Sequence, residues 1–202
     1  TTVTFSDDSK LQSIGSEAFR GTSIKEIIIP SSVTNIGSGI FENCFKLATI
    51  TFPNDSKLQL IESGAFKCTS IKEITFPSSV TNICYQAFSD CRNLTTITFP
   101  DDSKLQSIES GAFSVSSIKE IIIPSSVTNI GDDAFYECKE LTTVTFPDDS
   151  KLQSIGSSSF EKTSIKEIRI PSSVTNIGNC AFYGCGKLTT VTFADDSKLS
   201  VF

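Results

Sequence analysis

Histidine, tryptophan and methionine are absent from the 202-residue chain. The missing histidine removes the commonest general base and the commonest metal ligand together, which argues against serine-type triads, Cys-His nucleophiles and His-bearing zinc sites. Runs of basic residues are missing too. With a formal net charge of -6 and a sequence pI near 4.7, the chain lacks the electrostatic footprint that nucleic acid or an anionic membrane surface requires. No stretch approaches the roughly 18 apolar residues of a membrane span, so no membrane insertion is expected. The opening residues, TTVTFSDDSK, lack the basic and apolar regions of a signal peptide. A mature segment or a cut piece accounts for that as well as a cytosolic home does. Compositional bias is lacking as well, and 38% apolar with 20% charged residues describes a chain that folds.

What the chain has is repetition. PSSVTNI occupies residues 30–36, 77–83, 124–130 and 171–177. Short apolar runs begin at Val3, Ile27, Ile50, Ile74, Ile97, Ile121, Val144, Ile168 and Val191, so the steps alternate between 24 and 23 residues and the full period is 47. Around IIIP and TITFP the runs alternate with period two and are rich in β-branched residues, which marks them as strands. Their separation is too long for hairpins and suits successive turns of a coil whose strands stack in parallel, with right-handed crossovers as the default. At about 4.8 Å per strand, some eight turns give a sheet on the order of 40 Å long. Proline follows the runs at positions 30, 53, 77, 100, 124, 147 and 171, where its missing N–H ends the ladder. PSSVTNI is therefore scaffold: its Pro stops a strand, its Val and Ile fill core columns, and its polar residues turn the chain.

The segment IIIPSSVTNIGDDAFYEC, residues 121–138, closely resembles the BspA-like leucine-rich repeats of surface proteins from mucosal bacteria and anaerobic protozoan parasites. The resemblance covers nearly every residue. It implies an α/β repeat solenoid: a right-handed horseshoe with a parallel sheet on the concave side and short helical or irregular turns on the convex side. One domain over residues 1–202 is expected, cut from a longer array, because the chain opens on a strand and stops in DSKLSVF partway through a turn. The family is associated with attachment to extracellular matrix and host cells, which implies a non-catalytic protein-binding module at a cell surface or secreted. An intracellular or receptor-type scaffold for protein–protein interaction is the alternative.

Several residue sets invite chemistry. Cys44, Cys91, Cys138 and Cys185 recur every 47 residues, on every second turn and so roughly 10 Å apart, beyond the ~7 Å Cα separation that a disulfide spans. Thr22, Thr69, Ser116 and Thr163 fill the same place on intervening turns, which reads as a buried column of free thiols. Cys68 alone stands close enough to pair with that column. Cys84, in a glycine position, and Cys180 have no obvious partner, and the spacings do not suit zinc. The acidic turns near residues 7, 54, 101, 148 and 195 offer oxygen ligands to a hard cation. Each is followed by Lys and lies two turns from the next, so solvated turns are the better reading. No cofactor is implied. Asn54 and Asn93 head N-x-S/T acceptors.

If the outer residues of each strand triplet fill the core, the middle ones face the concave surface. That column reads Thr4, Ile28, Thr51, Thr75, Thr98, Ile122, Thr145, Arg169 and Thr192, and the one before it alternates Glu26, Thr49, Glu73, Thr96, Glu120, Thr143, Glu167 and Thr190. A solvated Thr/Glu face is the plain reading; a protein-binding face is the sharper one. Candidate contacts are Glu26, Ile28, Phe45, Glu73, Thr75, Glu120, Ile122, Glu167 and Arg169. Arg169 is expected either to be neutralised by Glu167 and Glu120 or to be offered to a ligand carboxylate. Phe45, where other copies carry Arg92, Lys139 or Gly186, reads as a contact aromatic or as a repacked edge. The Thr pairs also resemble ice-binding arrays, but Glu-bearing turns interrupt them at every second step.

Overall fold

The computed structural model describes residues 2–6 and 8–194; the acidic residue Asp7 and the terminal DDSKLSVF segment lie outside the described residues. Short strands recur along the chain: β1 (Thr2–Val3), β2 (Ser13–Ile14), β3 (Glu26–Ile28), β4 (Asn35–Ile36), β5 (Thr49–Thr51), β6 (Leu60–Ile61), β7 (Glu73–Thr75), β8 (Asn82–Ile83) and β9 (Thr96–Thr98). They continue as β10 (Ser107–Ile108), β11 (Glu120–Ile122), β12 (Asn129–Ile130), β13 (Thr143–Thr145), β14 (Ser154–Ile155), β15 (Glu167–Ile170), β16 (Asn176–Ile177) and β17 (Thr190–Phe193). All pairings are parallel and join equivalent residues of successive turns, as in Glu26↔Thr49 and Ile27↔Ile50. The chain is thus a parallel β-solenoid in which each rung contributes a front strand, of odd number, and a back strand, of even number.

The two sides differ in continuity. The back strands form one eight-stranded sheet running from β2 to β16 without a break. The front strands, expected to form a single long sheet, are instead hydrogen-bonded in sets: β1-β3-β5, β7-β9, β11-β13 and β15-β17. Seams fall after β5, β9 and β13, and so follow the 47-residue period. Each set from β7 onward unites a Glu-bearing strand, which leads into a compact PSS turn, with a Thr-bearing strand, which leads into the longer acidic turn. In the back sheet a side-chain ladder reinforces the backbone, and Ser154 donates to Asn129 Oδ1 at 2.7 Å. Leu60 replaces the serine beside Asn35, whose buried Oδ1 accordingly finds no partner.

Between back and front strands the resemblance implies short helical or irregular turns, and of the two the helical one is corrected: no helix occurs among the described residues. An α-helix spends its N–H groups within one segment, whereas here they are shared between rungs. Glu17, Phe19 and Gly21 donate to Ser38, Ile40 and Glu42 of the next rung, while Ala18, Arg20 and Thr22 donate locally to Gly15, Glu17 and Phe19. The alternation requires left-handed backbone twice per rung, four residues apart, as at Glu17 and Gly21 or Asp133 and Glu137. Five of these positions are glycine and eleven are not, including the β-branched Val115 at φ 58°. Such a residue resists that conformation.

Packing follows from the stacking. Phe19, Phe41, Phe66, Phe88, Phe113, Phe135, Phe160 and Phe182 form a spine of parallel rings with centroids 5.0 to 5.6 Å apart. Stacked pairs of this kind add about 0.5–1.5 kcal/mol each beyond their burial. Beside the spine runs the cysteine column. Each of its thiols donates to the phenylalanine carbonyl of the preceding rung, at 2.9 Å for Cys44 and 3.1 Å for Cys91, and sits against a Thr or Ser hydroxyl at 3.1 to 3.4 Å. The column is buried structure. Gly131, Gly156 and Gly178 mark where successive rungs touch, since a Cβ at Gly156 would lie 2.4 Å from the carbonyl carbon of Gly131.

Candidate functional site

The front strands bury every second residue: Ile27 is 1% exposed and Ile29 0%, while Ile28 between them is 61% exposed. Both columns anticipated for this face are solvent-facing along its length, including Glu26, Glu73, Thr75, Glu120, Glu167 and Arg169. It is a polar ribbon two side chains wide. Its departures from Thr and Glu lie apart, because Ile28 and Ile122, 65% exposed, sit four rungs from each other.

Three depressions mark this ribbon. The largest, about 700 Å³, surrounds Ile28 with Phe5, Pro30 and Pro53 and carries Glu26 and Asp55 on its rim. Another, about 480 Å³, spans the seam between β5 and β7 and is lined by Thr49, Thr51, Lys72, Glu73 and Thr75. The third, about 310 Å³, lies at Phe146, Pro147, Asp148 and Arg169. Arg169 answers neither Glu167 nor Glu120: it donates to Asp148 Oδ1 at 2.8 Å. Strand β15, which carries Arg169, and the acidic turn after β13, which carries Asp148, bring this pair together across 21 positions of sequence. With both side chains more than half exposed, the bridge contributes little to stability, of the order of 0–1 kcal/mol.

Phe45 does not lie on this ribbon. It is 66% exposed on the edge leading into β5, between buried Cys44 and Leu47, and its carbonyl accepts the Ser70 hydroxyl. The repacked-edge alternative is therefore not the one adopted. Three further exposed aromatics, Tyr85, Tyr183 and, on the last described strand, Phe193, were not singled out by sequence reasoning, although Tyr85 occupies a column otherwise filled by Ser, Asp and Asn. On the turn side, Lys162 donates to Tyr136 Oη at 2.8 Å and to Glu137 at 3.1 Å, and lies 4.8 Å from the Tyr136 ring centre. These bonds raise the Lys162 pKa and, reciprocally, hold the Glu137 carboxyl below its ordinary range.

All seven cysteines are free, so the pairing considered for Cys68 is not made. Burial pushes the Cys91 and Cys138 thiols up to about 11, and burial together with Glu109 pushes Cys84 up to about 12. Such thiols are protonated and inert at neutral pH. Among the described residues no three His, Cys, Asp or Glu side chains converge as a metal site, and no helix is long and apolar enough to cross a membrane.

The comparisons with known proteins agree with this architecture. The model of the BspA type leucine rich repeat region (6 copies) matches residues 1–114 and 106–200. A leucine-rich repeat protein from Bacteroides ovatus is 29% identical, with a TM-score of 0.63 over 94% of this chain and 66% of that one. A leucine rich cell surface protein from Faecalibacterium prausnitzii is 25% identical, with a TM-score of 0.56 over 91% of this chain and 65% of that one. The pneumococcal vaccine antigen PcpA shares the fold at 22% identity and a TM-score of 0.57, over 86% of this chain and 63% of its own. The chain therefore spans just under two thirds of the length of these structures. No curated protein matches it. Rung length, phenylalanine spine and family match converge on one assignment: the chain belongs to the BspA-type leucine-rich repeat family.

Proposed function

We propose that the chain is a non-catalytic protein-binding module, one repeat domain of a longer array, whose front ribbon takes a protein partner at a cell surface. The observation that carries this reading is the ribbon itself. It runs the length of the solenoid, exposes a glutamate on every second rung from Glu26 to Glu167, and holds at Ile28 a depression of mixed lining that includes Phe5, Pro30 and Pro53 beside Glu26 and Asp55. Glu73, Glu120 and Glu167 supply negative charge, Thr75 hydrogen-bonding capacity, and Ile28 and Ile122 two separate apolar anchors. Arg169 has its charge partly answered by Asp148, and Phe45 extends the contact area around the edge. The family, and a neighbour described as a cell surface protein, support the location; adhesion to extracellular matrix or host-cell proteins is the function that fits.

Binding to immobilised matrix proteins tests this reading. The triple variant E73K/E120K/R169E should weaken binding while leaving the circular dichroism spectrum unchanged. Undiminished affinity would move the site off the front ribbon. A second reading, an intracellular scaffold, is favoured by the free cysteines, which suit a reducing compartment. An antibody to this segment separates the two: labelling that requires permeabilised cells would refute the surface location.

A further inference from the structure

The edge leading into the front strands carries a feature that neither the family nor the front ribbon accounts for. On the rungs of β3, β7, β11 and β15, the residue just before the strand is lysine: Lys25, Lys72, Lys119 and Lys166. On the alternate rungs the same edge supplies Lys46, Arg92, Lys139 and Lys187, three or four residues before the strand. All eight are exposed. A chain of net charge -6 with 17 basic residues in all therefore concentrates nearly half of its cations along a single edge, one on each of eight successive rungs.

The register that builds this array is fixed by backbone bonds. Ala48, Thr95, Thr142 and Thr189 donate to the carbonyls of Lys25, Lys72, Lys119 and Lys166, each at 2.9 Å, so neighbouring rungs cannot slip along the edge. Countercharge is limited. Arg92 meets Asp90 at 3.0 Å and Lys139 meets Glu137 at 3.4 Å, Glu140 lies on the same edge, and the glutamates that follow the four lysines belong to the front strands. None of the other six cations forms a salt bridge among the described residues.

We propose that this edge binds a linear sulfated polysaccharide laid along the solenoid axis. Successive rungs advance roughly 4.8 Å along the axis and each offers one cation, set alternately in two columns two or three residues apart, a staggered row that suits a single flexible polyanionic chain with charged groups on successive sugars. They do not match duplex DNA, whose two strands wind around the helix axis once in about 34–36 Å and so carry their phosphates away from a straight edge. A sulfate keeps its charge across physiological pH and offers several acceptor oxygens to ammonium and guanidinium donors. The surface adjoins the proposed protein-binding ribbon and shares Lys72 with one of its depressions, but the variants that test the ribbon alter Glu73, Glu120 and Arg169 and those that test the edge alter lysines alone, so the failure of one reading is distinguishable from the failure of the other.

The test uses a heparin dodecasaccharide titrated against the whole chain at a series of salt concentrations. The variant K25Q/K72Q/K119Q/K166Q is compared with K10Q/K57Q/K104Q/K151Q, which removes the same charge from the acidic turns. The edge variant should lose roughly tenfold or more in affinity, with its log–log salt slope reduced by about 3, as expected when four contacts are removed. The control variant should retain wild-type binding. Absence of binding at low ionic strength, equal losses in the two variants, or equal affinity for a duplex DNA of similar charge would each overturn the proposal.

Discussion

Ser159 stands in a column that is otherwise nearly all alanine: Ala18, Ala65, Ala87, Ala112, Ala134 and Ala181 fill equivalent positions on other rungs, and Ile40 one more. It is 0% exposed, and its hydroxyl oxygen has no hydrogen-bond partner. Its backbone is fully engaged, donating to Gly156 and accepting from Phe135 at 2.7 Å, so Ser159→Ala changes the hydroxyl and nothing else. A buried hydroxyl without a partner costs about 1–3 kcal/mol. A small part of that is returned by the contacts its oxygen makes, which leaves a gain of about 1 kcal/mol on substitution. For a domain of this size the gain corresponds to a rise in Tm of about 2–4 °C. Urea unfolding followed by circular dichroism should show the midpoint move upward at unchanged m-value. The reciprocal variant Ala134→Ser, one rung earlier, should lose a similar amount. A fall in stability for Ser159→Ala, with Ala134→Ser neutral, would show that the hydroxyl is satisfied and refute the reasoning.

Four other outcomes are expected. Phe113→Ala, which cuts the ring spine between Phe88 and Phe135, should cost about 3–5 kcal/mol; Phe182→Ala, at a partly exposed ring of the last described rungs, should cost less, and equal costs would deny the spine its role. Val115→Asn should stabilise by about 1 kcal/mol by relieving left-handed strain, and a lowered Tm would contradict this. Glu62 has its pKa depressed chiefly by the Asn35 amide at 2.6 Å, with Ser38 N–H at 2.9 Å adding to it. Its stabilisation is therefore present above its ordinary value of 4.5 and lost as pH falls through the lower folded value, so the Tm advantage of wild type over Glu62→Gln should vanish in acid. Alkylation at neutral pH should modify exposed Cys180 first and leave buried Cys91 and Cys138 untouched until the chain unfolds; rapid labelling of either buried thiol would sink the assignment of the column.

The rung was legible in the sequence wherever a period-two pattern met a proline. Ile27, Ile29 and Val33 announce a buried strand and turn, and the 47-residue spacing of Cys44, Cys91, Cys138 and Cys185 announces a column that cannot cross-link. The turn side was not legible, because its hydrogen bonds run between rungs and leave no local periodicity. Gly21, Gly39, Gly64, Gly111 and Gly184 were the only signal of its left-handed positions, and Glu17, Val115 and Lys162 hide the same geometry behind ordinary side chains. The Arg169–Asp148 bridge depends on a turn belonging to the previous rung. The cationic edge leaves no basic run in the sequence, because each rung contributes a single charge and only stacking gathers them.

The unequal continuity of the two sides has a mechanical consequence. The back sheet and the ring spine form an unbroken beam, whereas the front ladder is interrupted after β5, β9 and β13. Flexure is then expected as a slight opening and closing of the front seams about the back, with each hydrogen-bonded set of front strands moving as one link. A partner seated across the front ribbon would bridge several links at once and stiffen the whole assembly, while one confined to a single pair of rungs would leave the remaining joints free.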